Sequence, residues 1–323
     1  MRAFANKKML ALLALVAAGA GFAVVHSTAS HAAAVPISLC AKAGSVTMPD
    51  GAVVPTWGFV LGDCTTGTAG VGGPVLEVNV GDTVTINLTS SLPVGHTASF
   101  ELSGLPVTNP ASGQYVFTAS RAGTFAYQSP GDAGRQEAMG LYGALIVRPV
   151  GEPAGFASSS CSTAAGSAYG NAFGRECVLV LSALDPNFNT APDTFDMNDY
   201  LATYWLINGK AYPNTDPISG GAAGTNVLLR YVNAGFDNTS MSLLGLHEHV
   251  IARDAYALSN RLDAVAETIP AGSTEDAIVT IPATSAPNGT GFPLFNRNLH
   301  VTNGTAAGNA NYTPGGMLTF ITP

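Results

Sequence analysis

The stretch from Leu76 to Leu88 constrains the fold more than any other part of the chain. Leu76, Val78 and Val80 alternate with Glu77 and Asn79, Gly81-Asp82 breaks the run, and Val84, Ile86 and Leu88 then alternate with Thr83, Thr85 and Asn87. Successive side chains of a strand point to opposite faces, so a period of two built on β-branched residues buries one face of each strand. A helix cannot use this pattern, because its apolar residues must recur every three to four positions. Shorter runs of the same kind fall at 53–60, 97–102, 114–118, 123–127 and 143–147. A second series falls at 178–181, 204–207, 227–232, 241–246, 250–252, 277–281 and 317–321, with the hairpin signal Asn208-Gly209 inside it. No window carries a helical stripe. Many short strands separated by Gly and Pro turns predict an all-β chain of Greek-key β-sandwich or barrel type.

A length of 323 residues accommodates about two such domains. The alternation lapses between Pro149 and Arg175, where Gly151-Glu152-Pro153 and the serine-rich run from Ser158 to Thr163 have linker composition. The expected division is therefore a signal segment at 1–34, a first domain at 35–150 and a second at 151–323. Arg2, Lys7 and Lys8 form a positive n-region, Met9 to Val25 an apolar core, and His31-Ala32-Ala33-Ala34 offers small-residue cleavage sites, with cleavage expected after Ala34. The alternative is an uncleaved anchor, but 17 apolar residues diluted with Gly and Ala are short for a membrane span. Removing 1–34 takes away three basic residues and no acidic ones, moving the formal net charge from −8 to −11. Such a charge argues against nucleic acid and anionic membrane as partners. The expected location is secreted or periplasmic, with no membrane contact beyond the signal segment.

Cys40, Cys64, Cys161 and Cys177 form an even set in a chain read as exported, which predicts two disulfides. Proximity favours Cys40 with Cys64 and Cys161 with Cys177, although four cysteines allow three pairings.

The order of several motifs resembles the multicopper oxidases. In the first half these are Gly81-Asp82-Thr83-Val84, Gly123-Thr124-Phe125-Ala126-Tyr127-Gln128-Ser129 and Gly140-Leu141-Tyr142-Gly143-Ala144-Leu145-Ile146-Val147. In the second they are Leu206-Ile207-Asn208-Gly209-Lys210, Leu229-Arg230-Tyr231-Val232-Asn233-Ala234-Gly235, Val250-Ile251-Ala252-Arg253-Asp254 and Pro314-Gly315-Gly316-Met317-Leu318. The likeness is greatest to large bacterial multicopper-oxidase-like proteins, which also write Tyr-Gln-Ser and Met-Gly-Leu-Tyr-Gly here but carry further domains. The resemblance implies two cupredoxin-like (plastocyanin-like) domains and, in the family, copper.

Copper centres of that kind need imidazoles and a thiolate in fixed geometry. The family's His-x-His pairs map near Ser99 to Gly104, where this chain has Glu101 and Ser103, and onto Gln128 and Pro130. In the second half the histidine-rich strand maps onto Ser242, Leu243 and Leu244, and the late His-Cys-His onto Phe295-Asn296-Arg297. Every ligand position implied by the resemblance holds another residue.

Four histidines lie beyond the signal segment. His247 and His249, at i and i+2, would face one side of a strand and form a candidate metal pair; the plainer reading is two polar residues on a solvated face. His96 is expected to be an exposed loop residue, and His300 lies near a family ligand position but out of step with it. Asp185, Asp193, Asp196 and Asp199 cluster with Asn187 and Asn189, but their spacing fits no EF-hand, so a solvated loop is expected. There is no G-x-S-x-G elbow, no H-E-x-x-H and no phosphate loop.

The preferred expectation is therefore a non-catalytic binding or partner-subunit module with no cofactor, whose partner is a copper-bearing cupredoxin chain or another exported protein. One alternative is a copper-dependent oxidoreductase using ligands shared with another chain. A further alternative is metal binding or delivery through His247 and His249.

Overall fold

The alternating segment at 76–88 forms two strands that belong to different sheets. Leu76–Asn79 pairs with Tyr142–Arg148, whereas Thr83–Ser91 pairs with Ala34–Thr47 and Gln114–Thr118. The corner between them is Gly81, at φ 95°, and Asp82, whose buried carboxylate accepts the amides of Ala33 and Asn79 at 2.9 and 2.8 Å. Glycine carries the left-handed turn at no steric cost, and the aspartate satisfies amides that the corner would orphan. This computed structural model describes residues 32–152, 155, 160–287, 289–304 and 313–323. The proposed signal segment thus lies outside the described residues up to His31, and Ala34 is already the first residue of a strand.

The two halves repeat one topology. In the first, a five-stranded sheet runs in the order Val53–Leu61, Ala34–Thr47, Thr83–Ser91, Gln114–Thr118, Thr108–Ala111. It faces a four-stranded sheet ordered Leu76–Asn79, Tyr142–Arg148, Gly123–Gln128, Glu101–Leu102. In the second half, Tyr204–Ile207, Arg175–Leu184, Asn226–Asn233 and Thr274–Thr280 take the places of the first four strands of the larger sheet. Ile218–Ser219, Leu318–Thr322, Phe292–Asn296 and Thr239–Leu243 take the places of the four-stranded sheet. Corresponding neighbours are parallel in both halves: Ala34–Thr47 with Thr83–Ser91, and Arg175–Leu184 with Asn226–Asn233.

Each sandwich is filled from its inward-facing positions. Leu39, Ile86, Phe100, Phe117, Phe125 and Leu145 are among those that fill the first; Leu179, Leu229, Tyr231, Met241, Phe292 and Ile321 are among those that fill the second. The faces between the halves are also apolar, with Ala126, Ala144 and Ile146 packed against Val178, Val180 and Val232. That second burial explains the near-continuous apolar run in Tyr142–Arg148, whose seven residues are all buried. Full burial of each aliphatic side chain contributes about 1.5–3 kcal/mol, so this face is a substantial part of what joins the halves.

Residues 185–200 cross to the first core. Asp185 caps the short helix Pro186–Thr190, accepting the Asn187 amide at 2.9 Å, and also accepts the Leu201 amide at 2.9 Å. Phe188 is thereby buried against the first core, in edge contact with Phe195 and Tyr200. Of the acids of this segment, Asp193, Asp196 and Asp199 are exposed, as a solvated loop implies, and Asp196 caps a turn through Asn198; Asp185 departs from that expectation and is buried. Disulfides join Cys40 to Cys64 and Cys161 to Cys177, the second across directly paired residues of two strands. Among the described residues no helix is long and apolar enough to cross a membrane.

Candidate functional site

Strand pairing brings together the positions that the family resemblance marks for copper. Glu101 stands opposite Gln128, because the strand Glu101–Leu102 is the edge neighbour of Gly123–Gln128. In the second half Met241 faces Asn296 and Ser242 faces Phe295. Two segments far apart in sequence therefore meet in each half, as a shared metal site requires, but they meet with carboxylate, amide, hydroxyl and apolar side chains.

In the first half a hydrogen-bond network lies next to these strands. The Ser129 hydroxyl donates to Gln136 Oε1 at 2.6 Å and accepts the Ser99 amide at 2.8 Å. Gln136 Nε2 donates to Asp132 Oδ2 at 2.8 Å and to the Thr97 carbonyl at 3.2 Å. Asp132 Oδ2 lies 2.7 Å from His96 Nδ1, and His96 Nε2 lies 3.1 Å from Asp193 Oδ1. Ser129 and Gln136 are fully buried, and Gly131 leaves room for the glutamine, since a Cβ there would come within 2.5 Å of Nε2. Burial alone would raise the Asp132 pKa, but its bonds to Gln136 and His96 outweigh that and hold it below the ordinary carboxylate value. His96 is therefore not the exposed loop residue expected from its sequence. Its side chain is 12% exposed, its ring centroid lies 4.7 Å from that of Trp57, and it ties the first half to the 185–200 segment.

The corresponding place in the second half is also hydrogen-bonded. The buried Asn296 donates its side-chain amide to Met317 Sδ at 3.6 Å and accepts the Asn298 amide at 2.8 Å. The Ser242 hydroxyl donates to the Val265 carbonyl at 2.8 Å. His300 stacks on Trp205, with centroids 3.9 Å apart and 7° between planes, and burial pushes its pKa below the usual imidazole value.

These residues do not fit a copper centre of the family type. A blue centre needs a cysteine thiolate, and all four cysteines are in disulfides. At the mapped positions Ser242 and Asn296 are bonded to protein partners, and Glu101, Ser103 and Gln128 present a carboxylate, a hydroxyl and an amide in place of imidazoles. Among the described residues no group of three or more His, Cys, Asp or Glu side chains could hold a metal ion.

The candidate pair His247 and His249 lies elsewhere, at the start of the strand Glu248–Arg253. Exposure alternates along it: His247 is exposed, Glu248 fully buried and His249 partly exposed. His249 Nδ1 is bonded to Asp263, the residue opposite it on the neighbouring strand.

A buried ionic chain also runs between the halves. Arg148 pairs with Glu77 and Glu176, each at 2.5 Å. Glu176 also takes Arg230 Nε at 2.9 Å, and Arg230 Nη1 lies 3.5 Å from Asp276 Oδ1. Thr124 closes the circuit, accepting from Arg230 at 3.1 Å and donating to Asp276 at 2.6 Å, while the Tyr169 hydroxyl donates to the other Asp276 oxygen at 2.6 Å. Burial would lower the Arg230 pKa, but Asp276 and Glu176 more than offset it and keep the guanidinium charged. The one sequence signal is a lone arginine inside the apolar run Leu228-Leu229-Arg230-Tyr231-Val232.

No protein-family model matches the chain, and no curated protein matches it. Solved structures do. The blue copper oxidase of Nitrosomonas europaea superposes with a TM-score of 0.70 at 19% identity, over 90% of this chain and 86% of that one. The multicopper oxidase mgLAC gives the same figures. The copper nitrite reductase of Nitrosomonas europaea gives 0.63 at 20% identity, over 90% and 94%. The fold is cupredoxin-like. At these identities the likeness carries the architecture alone, and the cupredoxin-like sandwiches of this chain hold a different set of side chains where copper would sit.

Proposed function

We propose that this chain is an exported, copper-free, cupredoxin-like protein that works as a binding or partner-subunit module. Its partner would be a copper-bearing cupredoxin chain or another exported protein. The observation that carries this reading is the network from Ser99 through Ser129, Gln136 and Asp132 to His96, which uses polar groups that a metal site would leave free. Export is supported by the signal-like first 34 residues and by two disulfides, which persist in oxidising compartments. Metal analysis and oxygen-uptake assays on protein isolated from its own source, alone and with whatever copurifies, test the reading. Copper and phenol oxidation that appear only in a complex would support instead an oxidoreductase with ligands shared between chains.

A second reading, capture or delivery of a divalent cation by His247 and His249, is favoured by one observation. A carboxylate on the far ring nitrogen of a histidine fixes its tautomer and raises its basicity as a ligand, and Asp263 stands in that relation to His249.

A further inference from the structure

A cleft of about 290 Å³ opens where the two halves meet, between the turn Ser103-Gly104, the segment 121–126, the hairpin tip at Asp254 and Tyr256, and the turn 272–274. Its distinctive group is Arg121. The guanidinium carbon lies 4.2 Å from the Tyr256 ring centroid and 5.1 Å from that of Phe125, so aromatic rings hold the guanidinium plane in place. Of its five N–H donors, one reaches the Asp254 carbonyl, at a long 3.4 Å, and Nε is buried without a partner. Arg148, Arg230 and Arg253 each hold two carboxylates. Arg121 holds none among the described residues.

The backbone around Arg121 is shaped to keep it there. Gly104 has φ 78°, and a Cβ on it would approach Nη2 to 3.0 Å. The hairpin tip that brings Tyr256 over the guanidinium carries two successive non-glycine residues at positive φ, Asp254 at 49° and Ala255 at 60°. Such conformations are costly for non-glycine residues and persist where the surroundings fix them. Here Ala255 is buried against Gly123 of the other half.

We propose that this cleft binds a small organic monocarboxylate, with Arg121 as the carboxylate anchor and the Phe125 and Tyr256 rings as the apolar wall. A planar guanidinium with its edge open matches the two oxygens of a carboxylate. The hydroxyls of Ser103 and Ser273, which have no partner among the described residues, line the same space. Asp254 sets the charge limit. Its Oδ1 is turned to the Thr274 amide at 2.9 Å, and a second negative charge on the ligand would meet that carboxylate, so a dianion such as sulfate is disfavoured. The volume lies at the lower end of ligand pockets, which selects a small acid over a polymer. The inference goes beyond the copper-free reading and does not depend on it.

Calorimetric titration of the intact chain with sodium benzoate tests the proposal, with benzyl alcohol as the uncharged probe and sodium sulfate as the dianion. The expected result is saturable benzoate binding, at least about tenfold weaker in Arg121→Met, which keeps an apolar side chain on the rings and removes the donors. Arg121→Lys, which retains the charge without the fork, should fall between the two. Benzyl alcohol and sulfate should each bind at least about tenfold more weakly than benzoate. Absence of benzoate binding to the wild-type chain overturns the site. Equal binding by folded Arg121→Met or Arg121→Lys overturns the anchor, and sulfate binding as well as benzoate overturns the ligand class.

Discussion

Glu101 and Gln128 stand opposite each other on paired strands, at two positions where the family resemblance expects histidines. The backbone brings together two strands as a metal site needs, and the side chains it presents there are a carboxylate and an amide. Next to them Gln136 links Ser129, Asp132 and the Thr97 carbonyl. Gln136→Ala should therefore destabilise the chain by about 2 kcal/mol, because it strands a buried hydroxyl and removes a bond to a carboxylate. Urea denaturation of the variant checks this, and a change below about 0.5 kcal/mol would show that the network is not what holds this region.

Arg230 is the keystone of the ionic chain between the halves. Removing one partner of a buried pair leaves the others uncompensated, at a cost of about 3–5 kcal/mol. Arg230→Met should lower stability by that amount, measured by denaturant unfolding. Combining it with Glu176→Gln and Asp276→Asn should recover part of the loss, since the stranded charges go too. A triple variant that sums three independent losses contradicts the coupling.

Stability should fall as pH rises from about 5 to 8. Burial pushes the carboxyl of Glu248 up to about 7, although Tyr231 donates to it, and that of Glu275 up to about 8, although Arg253 pairs with it. Both native values lie above the ordinary glutamate value of 4.5, so between these limits the folded chain binds protons that the unfolded chain has released. The stabilisation is whole below the unfolded value and is lost as pH climbs through the folded values, on the order of 3 kcal/mol for Glu248 and about 5 kcal/mol for Glu275. In the double variant Glu248→Gln with Glu275→Gln the pH dependence across this window should flatten. A slope equal to wild type would remove these two carboxyls from the account.

If His247 and His249 capture a divalent cation, Zn²⁺ binding by the intact chain should be abolished in the double alanine variant and weakened at least about tenfold by Asp263→Asn. Zn²⁺ affinity that is unchanged in the double variant ends that reading.

The sheet architecture was legible in the sequence because most strands bury one face against a core, and alternation records that burial. Leu76–Asn79 and Thr83–Ser91 alternate buried and part-exposed residues over most of their length and were readable from their apolar period alone. Tyr256–Ala264 was not, because it is exposed almost throughout and has no buried face to write a pattern. The long first strand, Ala34–Thr47, escaped because serines, alanines and Lys42 replace the usual β-branched residues. Among candidate site residues, the emptied ligand positions could be named from motif order. The roles of His96 and Asp185 could not, since each depends on a segment that crosses between the halves: Asp193 reaches His96, and Asp185 anchors the turn that delivers it. Arg121 gave no local sign either, because Tyr256, over which it lies, is 135 positions away on the other half.

The most direct measurement is copper content after reconstitution. The intact chain is incubated with Cu²⁺ under oxidising conditions, freed of loose metal by competition with a moderate chelator, and examined for bound copper and visible absorption. The account predicts no retained copper and no blue thiolate-to-copper band, because no free thiolate exists and the positions at Glu101, Gln128 and Asn296 are occupied by side chains that do not replace imidazole or thiolate. One or more tightly held coppers per chain, with a blue band or oxygen consumption, would contradict it.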